Sequence, residues 1–571
     1  LNSSQLLDGL VTVSPMPGSR DATPQSQISF LGVPSGDLSS VSVVGSRTGS
    51  HAGRLLSYSQ GDGASFVPAR PFDEGERVTV HAQLHVNGAV LPLTDEFAIA
   101  EADPISSTPE TIHAGSAAEV QRFASRPDLR PPKVTVGASS PAVAPGDEFL
   151  APYSGVGQPG PMILEPDGGL IWFKPLPTHT AATNLQVQQY SGEPVLTWWE
   201  GHISVHGFGR GEDLIADHAY TVIAHVRAGN GLQADLHEFT LTPQGTALIT
   251  AYEPIHCNLT EAGGPADGAV TDSLFQEIDV RTGLVMYQWT ALDHVEMRES
   301  HEHADDSQLG SPFDFFHLNS VSVDRDGSIL ISSRNTWAMY DLNPATGQIN
   351  WQLGGRHSTF TLSANVATAW QHDPRELPNG TFSIFDNGAS PTVHSESRGV
   401  VIGLNQEQKT ATLLGQLEHT PPLLAASQGN IQALPNGDWF IGWGGLPNFS
   451  EFSPTGQLLF DASLPPGVES YRSFRFSWTG IPTHPPAFAV QHTAGAGGVV
   501  YASWNGATQV ATWRVLSGST GRTLRAVAQA PRSGFETAVT VPSHTLGAVV
   551  AVQALDTAGA VIATAPARRT P

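Results

Sequence analysis

The chain has a single cysteine, Cys257, in 571 residues. That excludes an intrachain disulfide and any zinc site built on paired cysteines. Charge is scarce: 14% of residues are Asp, Glu, Lys or Arg, and only three of the 28 basic residues are lysines (Lys133, Lys174, Lys409). The formal net charge of −25 argues against partners that demand a basic patch, so neither nucleic acid nor an anionic bilayer surface is expected. An anionic small substrate stays open, because a buried pocket can hold a local positive field against the global one. No apolar run is long enough to span a bilayer, and no membrane span is expected. The chain opens on Leu1 with the polar segment LNSSQ, which reads as a mature product whose targeting segment is absent. Asn2, Asn258, Asn379 and Asn448 each begin an N-x-S/T sequon, a motif too short to imply glycosylation.

What is abundant is glycine (58) and proline (43), punctuating short apolar runs, a profile of all-β architecture. Residues 1–105 carry runs such as QISFLGV and RVTVHAQLHV and read as an N-terminal, Ig-like β-sandwich; His81 and His85 read as exposed strand histidines. Residues 106–135 are Pro- and Ser-rich and read as a linker packing across the next domain. Between 136 and 480 the units LEPDGGLIWF, LTPQGTALIT, VDRDGSILIS, LPNGTFSIFD and LPNGDWFIGW repeat one plan of apolar residue, glycine turn and strand. Two hairpins per unit is a propeller pattern. The turn glycines Gly168, Gly245, Gly327, Gly380 and Gly437 are widely spaced, which the pattern assigns to inserts at 201–220 and 291–315, and six blades are expected. Residues 481–571 read as a C-terminal, fibronectin-III-like sandwich with Trp504 and Trp513 in its core.

Three of these units carry a polar residue eight positions before the turn glycine: His237, Asn319 and His372. His317 lies two residues before Asn319 and shares its strand parity, so all four side chains are expected to converge where inner strands line a channel. Arg334 follows the Gly327 turn on the antiparallel strand, where a guanidinium suits a bidentate sulfuryl or phosphoryl oxyanion. Imidazole supplies a nucleophile or a general acid and base near neutral pH. The bland alternative is that such polar residues bond channel water or neighbouring strands; matched register across three units favours function. Asn430 sits one residue off this register. The HEHADD run (His301, His303, Asp305, Asp306) reads as a solvated loop rather than a metal cluster, and Asp373 as structural. His202 and His206 in EGHISVHGFGRG are placed at the channel mouth only weakly.

The segments DLHEFTLTPQGTALIT, HLNSVSVDRDGSILISSR, WQHDPRELPNGTFSIFDNG and GNIQALPNGDWFIGWG resemble the arylsulfotransferase family over most of 136–480. The resemblance implies a PAPS-independent aryl-sulfate sulfotransferase on a six-bladed β-propeller, flanked here by the two sandwiches. It implies a sulfated nucleophile at His372, a general acid and base at His317, and sulfuryl binding by Arg334, His237 and Asn319; Asn430, Trp337 and Trp370 are expected to contact substrate. Phe313, Phe315 and Phe316 are further candidates to stack an aryl ring. The partners implied are a small phenolic sulfate donor and a phenolic acceptor, with no cofactor and a secreted or cell-envelope location. An aryl-sulfate hydrolase and a non-catalytic ligand-binding propeller are the alternatives. A quinone-holding redox propeller ranks below them, lacking the tryptophan-docking repeats.

Overall fold

A computed structural model describes residues 5–6, 11–105, 116, 118–305, 311–493 and 497–570. The Asn2 sequon, most of the LNSSQ opening, Asp306 and residues 106–115 of the expected linker lie outside the described residues. Among those described the backbone is β throughout, with three short 3-10 turns and no α-helix. None of them forms a helix long and apolar enough to cross a membrane.

Six consecutive sheets occupy residues 135–476. Sheet one pairs Phe474–Phe476 with Asp147–Leu150, then Met162–Leu164 and Leu170–Phe173. Sheet two runs Ala181–Tyr190, Glu193–Ile203, Gly209–Ala216 and Val222–Val226. Sheet three runs Phe239–Leu241, Thr246–Cys257, Gly268–Asp279 and Val285–Thr290. Sheet four runs Leu318–Val323, Ile329–Ser333, Ala338–Leu342 and Ile349–Gly354. Sheet five holds His372–Glu376, Thr381–Asp386, Arg398–Asn405 and Thr410–Glu418, with Thr361–Leu362 at its edge. Sheet six holds Asn430–Ala433, Trp439–Gly442, Asn448–Phe452 and Leu458–Ser463, and Thr135–Ser139 adds a fifth strand.

Apolar packing makes this series circular. Trp172 of sheet one is buried with Trp198 of sheet two, and Ile215 of sheet two with Ile249 of sheet three. Phe275 joins Ile331, Leu330 joins Ile384, and Phe385 joins Ile441, carrying the contact through sheets four, five and six. Phe440 and Phe460 of sheet six then pack on Leu164 and Phe173 of sheet one. Each sheet is therefore covered on both faces by its neighbours, which is why its strands read as nearly continuous apolar runs.

The turn glycines divide into two sets. Gly245, Gly327, Gly380 and Gly437, with φ between 79° and 93°, close the first hairpin of sheets three to six. Gly168 has the same left-handed backbone but closes the outermost hairpin of sheet one, so it is not equivalent to the others. Residues 201–220 are not an insert. They finish one strand of sheet two and form the next, and the wide gap between Gly168 and Gly245 is that whole sheet. Its first turn escapes the expected plan because Ser191 and Gly192, at φ 53° and 84°, form a two-residue hairpin loop instead.

Two further pairs of sheets flank the ring. Before it, Val13, Phe30 and Phe66 of a five-stranded sheet are buried with Val80, Leu84 and Phe97 of a four-stranded one. His81 and His85 are exposed there, as expected. Ser29 and Ser65 dock this pair on sheet three, their hydroxyls donating to the Val285 carbonyl at 2.6 and 2.9 Å. After the ring, Trp513 packs with Val500, Val539 and Val552 from two sheets, while Trp504 is only partly buried. Asn505 fixes that unit to sheet one by accepting from the Phe173 N–H (3.0 Å) and donating to its carbonyl (2.9 Å).

Candidate active site

His237, His317 and His372 come from sheets three, four and five and line one cavity of about 690 Å³, together with Arg334. They reach it from the ends of the innermost strands rather than from within them. His237 lies two residues before Phe239–Leu241, His317 immediately before Leu318–Val323, and His372 is the first residue of its strand. The His237 and His317 rings stand perpendicular with centroids 4.9 Å apart. Tyr471, from the segment between sheets six and one, lies edge-on to both His237 (5.3 Å) and His372 (6.3 Å).

Each imidazole is held by Nδ1, and the holders differ. His237 Nδ1 lies 2.5 Å from Asp235 Oδ2, and His317 Nδ1 lies 2.5 Å from Asp314 Oδ2. His372 Nδ1 meets two neutral acceptors, Asn387 Oδ1 at 2.7 Å and the Trp370 carbonyl at 3.0 Å. Its Nε2 accepts from the backbone N–H of Gln428 at 3.2 Å. Those contacts fix the tautomer: His372 carries its proton on Nδ1 and its lone pair on Nε2. Asn387 is oriented in turn by donating from Nδ2 to the Gln428 carbonyl at 3.0 Å.

Burial pushes the His372 pKa well below the ordinary imidazole value, and nearby Arg334, His237 and His317 add to that, against the Asn387 hydrogen bond. His237 is also lowered by burial, in spite of Asp235. Burial would raise Asp235, but the His237 imidazole and the N–H groups of Gly209 and His237 hold it below the usual carboxylate range. His372 is thus a neutral base with a lone pair beside a fixed cation.

Arg334 follows the second strand of sheet four, its N–H donating to the His317 carbonyl at 3.0 Å. Its guanidinium lies over the Trp370 ring at 4.7 Å, donates to Asn335 Oδ1 at 2.7 Å, and sits 3.7 Å from Glu302. Nη2 also reaches the Ala426 carbonyl at 3.5 Å, and the Nε–H with the remaining Nη hydrogens is left for an oxyanion.

Several expected positions lie elsewhere. Asn319 does not share the direction of His317, because His317 adopts φ 57° and the ladder slips between Leu318 and Ser320. The Asn319 side chain is fully buried and donates to the Gln371 carbonyl at 2.8 Å, on the residue next to His372. Asn430 bridges to Ser473, donating to its carbonyl at 2.8 Å and accepting from its N–H at 2.9 Å. Trp370 backs Arg334, and Trp337 packs edge-on to Trp370 at 5.1 Å and flat on His301 at 3.6 Å. Neither tryptophan lines the cavity, whereas Phe313 does; Phe315 and Phe316 are buried core between sheets three and four. The insert 291–315 is not merely solvated, since its Glu302, His303 and Asp314 line the cavity. His206 lines it as well; His202 instead contacts the His179 carbonyl at 2.7 Å. No group of three or more His, Cys, Asp or Glu among the described residues is placed to hold a metal ion.

Beneath the histidines lies a buried ionic layer. Arg375 bridges Glu238 and Asp373, each at 2.6 Å, and Arg472 contacts Glu238 at 3.2 Å and Asp373 at 3.4 Å. Arg472 also donates to the Asn319 carbonyl at 3.0 Å. Asp373 is structural, as its position beside His372 on the strand implies. His317, Trp337, Trp370, Asp373 and Gln428 all adopt positive φ between 54° and 65°. A non-glycine residue in the left-handed region costs about 1–3 kcal/mol; His317 and Gln428 line the cavity and the other three stand behind it, which marks a place held against its local preference.

Residues 186–464 match the family model described as arylsulfotransferase (ASST). No curated protein matches the chain. Among solved structures, a protein of unknown function from Bacteroides caccae aligns at 14% identity and a TM-score of 0.34, over 58% of this chain and 100% of that one. An auxiliary nutrient binding protein from Bacteroides ovatus aligns at 10% and 0.29, over 82% and 92%. Virginiamycin B lyase from Staphylococcus aureus aligns at 10% and 0.22, over 57% and 83%. Likenesses this distant carry no argument about chemistry.

Proposed function

Residues 186–464 belong to the arylsulfotransferase family, and from that premise we propose that the chain is a PAPS-independent aryl-sulfate sulfotransferase working through a sulfohistidine at His372. The observation that carries the proposal is the unequal anchoring of the three imidazoles. Two lean on carboxylates, Asp235 and Asp314, and one on a carboxamide, Asn387. A carboxylate partner balances positive charge on the ring as a proton comes and goes, which suits an acid and base. A carboxamide fixes the tautomer without favouring the cation, which suits a nucleophile.

The donor's sulfuryl oxygens rest on Arg334, and on His237 when its ring takes a second proton balanced by Asp235, where charge redistributes in the transition state. His372 turns its Nε2 lone pair from the Gln428 N–H to sulfur. The N–S bond forms, the bond from sulfur to the aryl oxygen breaks, and its electron pair leaves with that oxygen. His317 gives its Nε2 proton to the phenolate, an anion whose conjugate acid has a pKa of about 10 in the reference phenol. In the second half His317 takes the acceptor's proton, the phenoxide attacks sulfur, and the N–S electron pair returns to Nε2. Asn319 acts indirectly, steadying the Gln371 carbonyl beside the nucleophile.

This reading assigns the ring of six sheets to a six-bladed β-propeller at 136–480, flanked by sandwiches at 1–105 and 481–571 with 106–135 as linker. An extracytoplasmic location goes with it. The test is the intact mass of the protein after mixing with a chromogenic aryl sulfate and no acceptor. One added sulfuryl group, mapped to His372 and discharged by phenol, is the expected result. Donor hydrolysis without an adduct supports water as acceptor, and no turnover of several donors overturns the proposal.

A further inference from the structure

The cavity holds more carboxylates than cations. Glu302, Asp314 and Glu469 line it, and Arg334 is the one Arg or Lys among its lining residues. Asp314 is engaged by His317, and Glu302 faces Arg334. Glu469 has no cationic partner among the described ion pairs and accepts only neutral donors, the Tyr153 hydroxyl at 2.9 Å and Gln428 Nε2 at 2.8 Å. A sulfuryl group bound by Arg334 would share that one cation with Glu302, 3.7 Å away, and leave Glu469 without a cation.

A second, independent observation concerns hydrogen bonding. The Tyr471 hydroxyl, on a residue 2% exposed and lining the cavity, has no hydrogen-bond partner among the described residues. Gln428 spends its amide N–H on Glu469 and leaves Oε1 without one. This wall therefore offers a carboxylate and an orphan carboxamide oxygen, with a hydroxyl nearby, and no cation among its lining residues; Arg472, 5.3 Å over the Tyr471 ring, is paired with Glu238 and Asp373. Orphan acceptors of this kind are costly unless a ligand or water donates to them. Gln428 also ties the wall to the chemistry, since its backbone N–H reaches His372 Nε2.

Resting on the sulfotransferase reading, we infer that the phenolic acceptor carries a cationic substituent, a primary ammonium or similar group, received by Glu469 and Gln428 Oε1. An ammonium has three donors and one positive charge, which matches both the orphan acceptors and the surplus carboxylate. A phenol bearing a carboxylate meets the opposite situation and is disfavoured by Glu469 and Glu302 together.

The test holds one chromogenic aryl sulfate constant and compares three acceptors: tyramine, its neutral near-isostere 4-propylphenol, and 3-(4-hydroxyphenyl)propionate. The expected kcat/KM for tyramine exceeds that for 4-propylphenol by about tenfold at low salt, a charge-assisted contact of roughly 1.4 kcal/mol, with the propionate last. Glu469→Gln is expected to bring the tyramine to 4-propylphenol ratio to about one, whatever it does to the absolute rates. Sulfuryl transfer to all three acceptors with no tyramine preference overturns this inference and leaves the sulfotransferase reading standing. A preference that survives Glu469→Gln overturns the assignment to this wall. No adduct on the protein and no donor turnover overturns both.

Discussion

The Nδ1–H of His372 donates to Asn387 Oδ1 at 2.7 Å, and Asn387 stands two residues beyond Phe385, the ladder partner of His372 across the first hairpin of sheet five. Replacing that carboxamide by a carboxylate changes the charge of the anchor with little change of shape. Asn387→Asp is expected to stabilise the imidazolium and raise the His372 pKa, so less neutral nucleophile is present at a given pH. The acid limb of kcat/KM therefore moves to higher pH. A profile that does not move removes Asn387 from the nucleophile's control.

His372→Asn is expected to abolish adduct formation and transfer while preserving the thermal transition, because the change is confined to one side chain at the cavity wall. Near-normal transfer in this variant sinks the nucleophile assignment.

His317→Asn separates the acid from the nucleophile. Loss of general acid–base catalysis costs about 10²–10⁴-fold, and the loss falls hardest on donors whose phenol is a poor leaving group. The expected signature is a steep dependence of turnover on the leaving phenol's acidity, shallower in the unsubstituted protein. Equal slopes assign His317 to binding alone.

Arg334→Lys keeps the charge and removes the planar fork that lies over Trp370. The expected loss in kcat/KM is roughly 10–100-fold, equivalent to about 1.5–3 kcal/mol for a hydrogen bond to a charged group. Unchanged kinetics argue that only the charge matters.

Asp95 predicts a pH dependence of stability. It is buried in the N-terminal pair of sheets with neither carboxylate oxygen hydrogen-bonded among the described residues, and burial raises it to about 7. A carboxyl group raised on folding contributes stability that is fully present below its unfolded pKa of 3.8 and lost as pH climbs through 7. Asp95→Asn is therefore expected to be more stable than the unsubstituted chain at pH 8, by on the order of 2–4 kcal/mol, and close to it at low pH. Thermal midpoints at both pH values check the sign.

How much of this was legible in the sequence depends on how local the signal was. The glycine turns of sheets three to six were readable because a left-handed residue is required there. Sheet two was missed because its Ser191–Gly192 turn follows another pattern. The spacing that picked out His237 and His372, and the position of Arg334 after the Gly327 turn, named residues that line one cavity; His317 lines it too, although the parity argument that reached it through Asn319 fails at a left-handed residue. Asp235 and Asp314 lie two and three residues before their histidines, a spacing that strand alternation does not address when the strand has not yet begun. Asn387 required the ladder register, and Tyr471 and Glu469 required knowing that residues 467–473 lead back to the first sheet.

That return has a consequence for biosynthesis. Tyr471 and Arg472 stand just ahead of Phe474–Phe476, the strand that pairs with Asp147–Leu150. A chain emerging from the ribosome possesses all three histidines and Arg334 long before it possesses the residues that wall and floor them. The cavity is therefore completed late in translation, when the closing strand meets a partner made more than 300 residues earlier. Until then the growing polypeptide carries the three imidazoles and the guanidinium without the wall that encloses them.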